Sequence, residues 1–305
     1  MSIVKIWTNS LKITQQIGEV MKKVALIGHP VSHSLSPKLH NYWIEKYGID
    51  AIYEAVDVLP NELENTIKRM QKEGYIGCNI TMPYKEEVLK YVKQLKFTGG
   101  VSLSKSCNLI SFNRANYIGG CNVYNMDIHA IEQAFGGFTK LLDKEVLILG
   151  FGGVAKSVIE AFKYNEGRLL IATRDTFKTN VKLRYIKNSF AIFIESLEKN
   201  LNKGYDYKDY LPDIDLLINA TPCGMDGYPE LDIDLSTLNK NAVVFDAVYN
   251  PIKTGLIKQA EALGIKTISG FEMFLYQAQA SFEIWFGIKP EITQELRDLM
   301  MEELR

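Results

Sequence analysis

The sequence predicts an α/β protein built as two units, and three observations carry that prediction. Short apolar runs alternate with amphipathic helical patterns along most of the chain. The run Lys144-Glu-Val-Leu-Ile-Leu149 passes directly into Gly150-x-Gly152-x-x-Ala155 and a helical pattern, the context that a Rossmann-type, doubly wound dinucleotide-binding unit requires. A chain of 305 residues with 47% apolar composition can fill two medium-sized cores.

Residues 1–20 precede the first strand and read as an N-terminal extension, since Met21-Lys-Lys would itself serve as a start. Val24 to Ile27 form a buried strand that breaks at Gly28 and Pro30, and a helix runs from Pro37 to about Tyr47. Proline suits that first turn because its missing N–H would have no partner there. Strand 51–57, helix 60–73, strand 76–80 and helix 84–93 follow. Cys107–Phe112 and Asn116–Cys121, joined by Asn113 to Ala115, read as a hairpin closing this unit.

The second unit opens with a helix at 127–134 and the glycine turn, whose helix carries Val158, Ile159, Ala161 and Phe162. Strands at 168–173, 214–219, 242–246 and 265–268 complete its sheet. Tyr205 to Asp215 reads as a loop or short helix, and Met273 to Phe286 as an amphipathic helix. The predicted layout is 1–20, then 21–123 plus 271–305 as the first unit, with 124–270 as the dinucleotide-binding unit.

Composition narrows the partners. Lys plus Arg total 35 against 36 Asp plus Glu, so no overall field attracts nucleic acid or an anionic membrane. No apolar run reaches the roughly 20 residues of a membrane helix, and Met1 to Val20 lacks the pattern of a secretory signal, which predicts a cytoplasmic protein. Cys78, Cys107, Cys121 and Cys223 are scattered and read as buried, reduced thiols. His33 and His40 lack metal-ligand spacing, so no metal is expected.

The most informative stretch is Gly28-His-Pro-Val-Ser-His-Ser-Leu-Ser-Pro-Lys-Leu-His-Asn41, which sets Ser34 and Ser36 before a helix start. Hydroxyls there can seat a small carboxylate against free N–H groups and the helix dipole, or Ser36 can simply be an N-cap. Lys85, one turn into its predicted helix, is by base rate a solvated lysine.

Six segments in order, from about Val24 to Gly287, change the weighting. They are Gly28 to Asn41, Gly77-Cys-Asn-Ile-Thr-Met-Pro-Tyr-Lys85, Gly150-Phe-Gly-Gly-Val-Ala155, Asn219-Ala-Thr-Pro-Cys-Gly-Met225, Asp246-Ala-Val-Tyr-Asn-Pro251 and Gly270-Phe-Glu-Met-Phe-Leu-Tyr-Gln277. Together they resemble the shikimate dehydrogenase family. The resemblance implies a substrate domain and an NADP-binding domain with a cleft between them. It implies an NADP(H)-dependent oxidoreductase of chorismate and aromatic amino acid biosynthesis, acting on a small carboxylate as a monomer or homodimer.

By the same resemblance, Lys85 handles the proton on the substrate hydroxyl, a task that suits a partly buried lysine. Ser34 and Ser36 would bind the substrate carboxylate, with Tyr249 facing that end, and Thr81, Asn108 and Gln277 would bind ring hydroxyls. Gly150, Gly152, Gly153, Val154, Ala155, Thr173, Thr221, Ala247 and Gly270 would line the cofactor site. Arg174 and Lys178 would clamp the 2′-phosphate of NADP, while Asp175 would repel it and leaves NAD as the alternative.

One position departs. The family pairs its lysine with an aspartate in an Asn-Thr-Asp segment after the hairpin, and the sequence reading sets Tyr124 of Gly120-Cys-Asn-Val-Tyr124 at that place. Asp127 lies three residues on, which along a helix would displace its carboxylate by roughly 4.5 Å. Ser106-Cys-Asn-Leu109 likewise replaces Ala-Val-Asn-Thr. Tyr124 would then either join Lys85 as a second catalytic group or fill the pocket. The expected function is reduction of 3-dehydroshikimate or a related cyclic keto acid. The alternatives are a catalytically impaired regulatory protein that binds nucleotide and carboxylate, and a dehydrogenase for a different small hydroxy acid.

Overall fold

The computed structural model describes residues 21–92, 94–98, 105–112, 120–137, 142–162, 165–173, 189–193 and 209–304. The extension 1–20, the loop Asn113 to Ala115, and Arg174, Asp175 and Lys178 lie outside the described residues.

Strands β1 (Lys22–Gly28), β2 (Ala51–Asp57), β3 (Tyr75–Ile80), β4 (Gln94–Thr98), β5 (Leu109–Phe112) and β6 (Cys121–Tyr124) form one sheet in the order β2-β1-β3-β5-β6-β4. β1 runs parallel to both β2 and β3, whereas β5 is antiparallel to β3 and to β6. Helix α1 (Ser36–Lys46) covers one face, burying Leu39, His40, Trp43 and Ile44. Removing one such leucine from water is worth ~1.5–3 kcal/mol, which is what holds an 11-residue helix in place. Helix α2 (Leu63–Lys72) buries Leu63, Ile67 and Met70 against the other face.

The second sheet is wholly parallel: β7 (Val146–Leu149), β8 (Leu169–Thr173), β9 (Ser189–Phe193), β10 (Leu216–Asn219), β11 (Val243–Asp246) and β12 (Lys266–Ser269), in the order β12-β11-β10-β7-β8-β9. Every residue of β7 and β10 is buried, as expected of a parallel sheet with both faces covered. One face carries α3 (Met126–Ala134) and α4 (Gly153–Ala161), and the other carries α5 (Gly255–Ala262). The order reverses between β7 and β10, so the loops after these strands open a crevice where a dinucleotide binds in such folds. Helix α6 (Gly270–Phe286) starts from β12, packs against α3 and lays Phe274, Leu275 and Phe282 on the first sheet's core with α7 (Gln294–Glu302). No described helix is long and apolar enough to cross a membrane.

Two predicted elements shift, and three further ones are present. The expected helix 84–93 is a series of turns leading to a short 3-10 turn at Glu87–Lys90. The reason is local: the Lys85 carbonyl accepts from the Cys107 amide at 2.7 Å and the buried Tyr84 phenol donates to the Val58 carbonyl at 2.5 Å, so the Lys85 carbonyl is tied to a neighbouring segment, while the Tyr84 carbonyl still accepts from the Val88 amide at 3.0 Å. The described second hairpin strand is Cys121–Tyr124, with Leu109 opposite Tyr124, so it runs beyond the predicted end at Cys121; residues 116–119 of the prediction lie outside the described residues. Strands β4 and β9 and helix α7 are additional to the predicted elements.

Candidate active site

A cavity at the carboxyl end of the first sheet gathers Ser34, Ser36, Thr81, Lys85, Asn108, Tyr249 and Gln277, the expected substrate residues, from five separate segments. Leu26, Ile80, Phe274 and Ala278 supply its apolar wall, while His40 and Asn79 are polar lining residues the sequence reading did not single out. Asn79 was nonetheless within a quoted motif, two residues before Thr81.

Each side chain is held by its own local chemistry. At the start of α1 the N-cap is Leu35, without a side-chain cap, so Ser36 is not the N-cap. Instead the Ser34 hydroxyl accepts from the Ser36 amide at 3.2 Å, leaving both serines at the helix N-terminus. Thr81 is fixed by its amide on the Ile27 carbonyl at 2.9 Å, and a side-chain carbon at Gly28 would come within 2.4 Å of its methyl, so only glycine permits that approach. Tyr249 stacks on Phe274 with ring centroids 5.0 Å apart, and burial raises its phenol pKa above the usual range. His40 stacks on Tyr53 at 4.3 Å, and full burial pushes it down to about 3, so it is neutral.

The ammonium of Lys85 donates to Asp127 at 2.7 Å; the aspartate is buried while the lysine is 21% exposed. The other carboxylate oxygen accepts from the Asn108 side chain at 2.8 Å, and the same amide nitrogen reaches Gln277 at 3.3 Å. Asn108 is itself oriented by accepting from the Met126 amide at 2.7 Å. The result is one connected group, Lys85–Asp127–Asn108–Gln277, drawn from both units.

The lysine's partner in the structure is Asp127, whereas the sequence reading set Tyr124 at that place. Tyr124 is the last residue of β6, does not line the cavity, and acts through its carbonyl, which accepts from the Asn108 amide at 3.0 Å. Counting along a helix misplaces the carboxylate because β6 continues to Tyr124 and the helix begins only at Met126. Asn125 is extended and caps α3, accepting from the Asp127 amide at 3.1 Å. The chain therefore turns from strand to helix between Tyr124 and Asp127, and the offset returns the carboxylate to the lysine instead of carrying it along a helix axis. Asn125-Met126-Asp127 shares the Asn-x-Asp spacing of the Asn-Thr-Asp segment.

Across the crevice, Gly150 has φ +96°, and a side-chain carbon there would approach the Thr221 methyl to 2.8 Å. Gly152 is the N-cap of α4 with no side-chain cap, and the space beside it is open. The amides of Gly153, Val154 and Ala155 therefore begin a helix without a capping side chain, a cradle whose chemistry fits a pyrophosphate. Thr221 donates from its amide and hydroxyl to Asn219 at 3.0 and 2.6 Å, and a side chain on Gly270 would strike the Ala247 carbonyl at 2.3 Å, so both loops are fixed at the crevice rim. Thr173 ends β8 on the same rim.

Comparison with known proteins agrees with this geometry. Residues 26–110 match the model of the shikimate dehydrogenase substrate binding domain, and residues 270–305 match the shikimate 5'-dehydrogenase C-terminal domain. The protein named shikimate dehydrogenase (NADP(+)) of Methanocaldococcus jannaschii is 34% identical over 283 residues, 89% of this chain and 93% of the relative. That of Pelagibacter ubique is 35% identical over 92% of this chain and 99% of the relative. A crystal structure of shikimate dehydrogenase in complex with NADP+ superposes with TM-score 0.79 at 31% identity, covering 93% of this chain and 96% of that one. The Listeria monocytogenes shikimate 5-dehydrogenase, crystallised with shikimate and NAD, does so with TM-score 0.78 at 26% identity, covering 95% and 99%. With relatives this similar over nearly its whole length, the chain belongs to the shikimate dehydrogenase family, whose curated members are named as NADP(+)-dependent dehydrogenases.

Proposed function

We propose that this chain is an NADP(H)-dependent oxidoreductase that reduces the ring ketone of 3-dehydroshikimate, or a related cyclic keto acid, to the alcohol. The observation that carries the reading is the Lys85–Asp127 pair, 2.7 Å long, at the edge of a polar cavity that faces an uncapped glycine helix. When bound, NADPH would supply the hydride; the α4 amides, Thr221 and Ala247 would hold it, and Arg174 and Lys178 would take its 2′-phosphate. Ser34 and Ser36 hold the substrate carboxylate beside Tyr249, and Thr81, Asn108 and Gln277 orient its ring. The Lys85 ammonium hydrogen-bonds the carbonyl oxygen and yields a proton as charge develops there; Asp127 keeps that ammonium aimed. In the oxidation direction the lysine receives the same proton.

The reading extends to a two-domain layout of 21–123 plus 271–305 and 124–270, a cytoplasmic location, and a small-molecule carboxylate as partner of a monomer or homodimer. With Asp127 in place, the catalytically impaired alternative loses the observation that had favoured it. Incubating the purified chain with shikimate or quinate and either NADP or NAD, and following nicotinamide absorbance, tests the proposal. Shikimate with NADP is expected to be the fastest combination; no reduction of either cofactor by either substrate would overturn it.

A further inference from the structure

The residue after Lys85 also carries a charge, and it too finds its counter-charge on the other unit. Glu86 pairs with Lys156, which lies on α4 immediately after the glycine turn. Lys156 is only 14% exposed and Glu86 53%, so the pair sits at the mouth of the crevice with its cation drawn inward. Two neighbouring residues of one loop thus hold two elements of the nucleotide unit, Lys85 through Asp127 on α3 and Glu86 through Lys156 on α4. Contact between the surfaces is close: a side-chain carbon built on Gly153 would lie 3.6 Å from the Ser106 hydroxyl and 4.0 Å from Lys85 Cδ.

We infer that Glu86 and Lys156 form a charge latch that sets the distance between the proton-handling loop and the glycine helix. Both are positioning residues: neither lines the substrate cavity. The latch gives the two halves of the reaction a common register, because the loop that aims Lys85 is fastened to the helix whose amides cradle the nucleotide. The inference rests on the proposed function for what the register serves, though not for the existence of the pair.

Charge reversal tests it. Glu86→Lys and Lys156→Glu each set like charges face to face, whereas the double variant restores attraction with the signs exchanged. Each single reversal is expected to weaken NADP affinity and lower shikimate turnover by about tenfold at low ionic strength, and the double variant to recover most of both. The milder Glu86→Gln should lose about twofold to threefold, and wild-type protein should approach it as salt screens the pair. Amide hydrogen exchange across 84–91 and 153–161, measured without nucleotide, should quicken in the single reversals and slow again in the double variant. Singles without effect on exchange or affinity, or a double variant as impaired as the worse single, would overturn the latch. A wild type inactive on shikimate would instead count against the proposed function, and exchange and NADP binding would still decide the latch.

Discussion

The two sides of the crevice are built on different principles. On the side proposed for the substrate, side chains dominate: Ser34, Ser36, Thr81, Lys85, Asn108, Tyr249 and Gln277 converge on one cavity, and four polar residues are chained by hydrogen bonds of 2.7–3.3 Å. On the side proposed for the nucleotide the main chain dominates, through a Gly150 at positive φ and a helix begun without a side-chain cap. Side chains can be exchanged for chemistry without disturbing the fold, whereas backbone recognition is sensitive to any added carbon. The contrast also matches the task, because a polyol needs several directed donors and acceptors while a pyrophosphate needs a convergent set of N–H groups.

The largest expected effect breaks the side-chain half alone. Lys85→Ala should lower turnover by about 10²–10⁴-fold, the usual worth of an acid–base group, while NADP affinity changes little. Asp127→Asn keeps the volume but removes the anion at 2.7 Å from Lys85, and should reduce turnover within the same range by leaving the ammonium unaimed. Steady-state kinetics beside an NADP titration check both. A Lys85→Ala enzyme turning over near the wild-type rate would remove the lysine from the mechanism.

The backbone half can be broken with one methyl group, at two glycines that should respond differently. Gly150 sits at φ +96° with Thr221 close by, so Gly150→Ala should cost on the order of 1–3 kcal/mol of strain and lower both thermal stability and NADP affinity. Gly152 has φ −84° and open space beside it, so Gly152→Ala should leave the melting temperature unchanged and weaken NADP alone, about tenfold, by occupying the ligand's place. Equal effects on stability would mean that the two glycines are needed for the same reason.

The contrast between the halves also explains what was legible in the sequence. Strand-to-helix glycine turns follow local rules, and β7, α4 and the parallel sheet fell close to where periodicity put them. Residues of contiguous motifs, such as Ser34 and Ser36 or Thr81 and Lys85, line one cavity as well. Asp127 was missed because its position depends on where a strand ends and how the chain turns, which a residue count cannot supply. The signal available was Asn125, a good N-cap residue directly before an apolar run. His40 was legible as a residue but not as a neutral ring beneath the cavity, since that follows from packing against Tyr53, Trp43 and Phe282.

A smaller effect sharpens the nucleotide side, where one side chain is expected to supplement the backbone. Arg174→Ala should weaken NADP about tenfold and NAD far less, because only NADP carries the 2′-phosphate that a guanidinium would grip. Comparing dissociation constants for the two cofactors isolates that contact from the shared pyrophosphate. Equal weakening would show that the discrimination resides elsewhere, with Lys178 the next candidate.

The smallest expected effect lies at Tyr124, where counting along the sequence and position in space disagree. Its carbonyl orients Asn108 at 3.0 Å, whereas the cavity is lined without it and the lysine is engaged by Asp127. Tyr124→Phe deletes the hydroxyl and keeps the main chain, so turnover should fall by less than about threefold, with substrate KM likewise little changed. Tyr124→Asp is more disruptive, since it sets a charge on the partly buried end of β6, and turnover should drop rather than rise. A gain of shikimate oxidation in Tyr124→Asp, or a hundredfold loss in Tyr124→Phe, would return the phenol to the chemistry and demote Asp127 to a structural anchor.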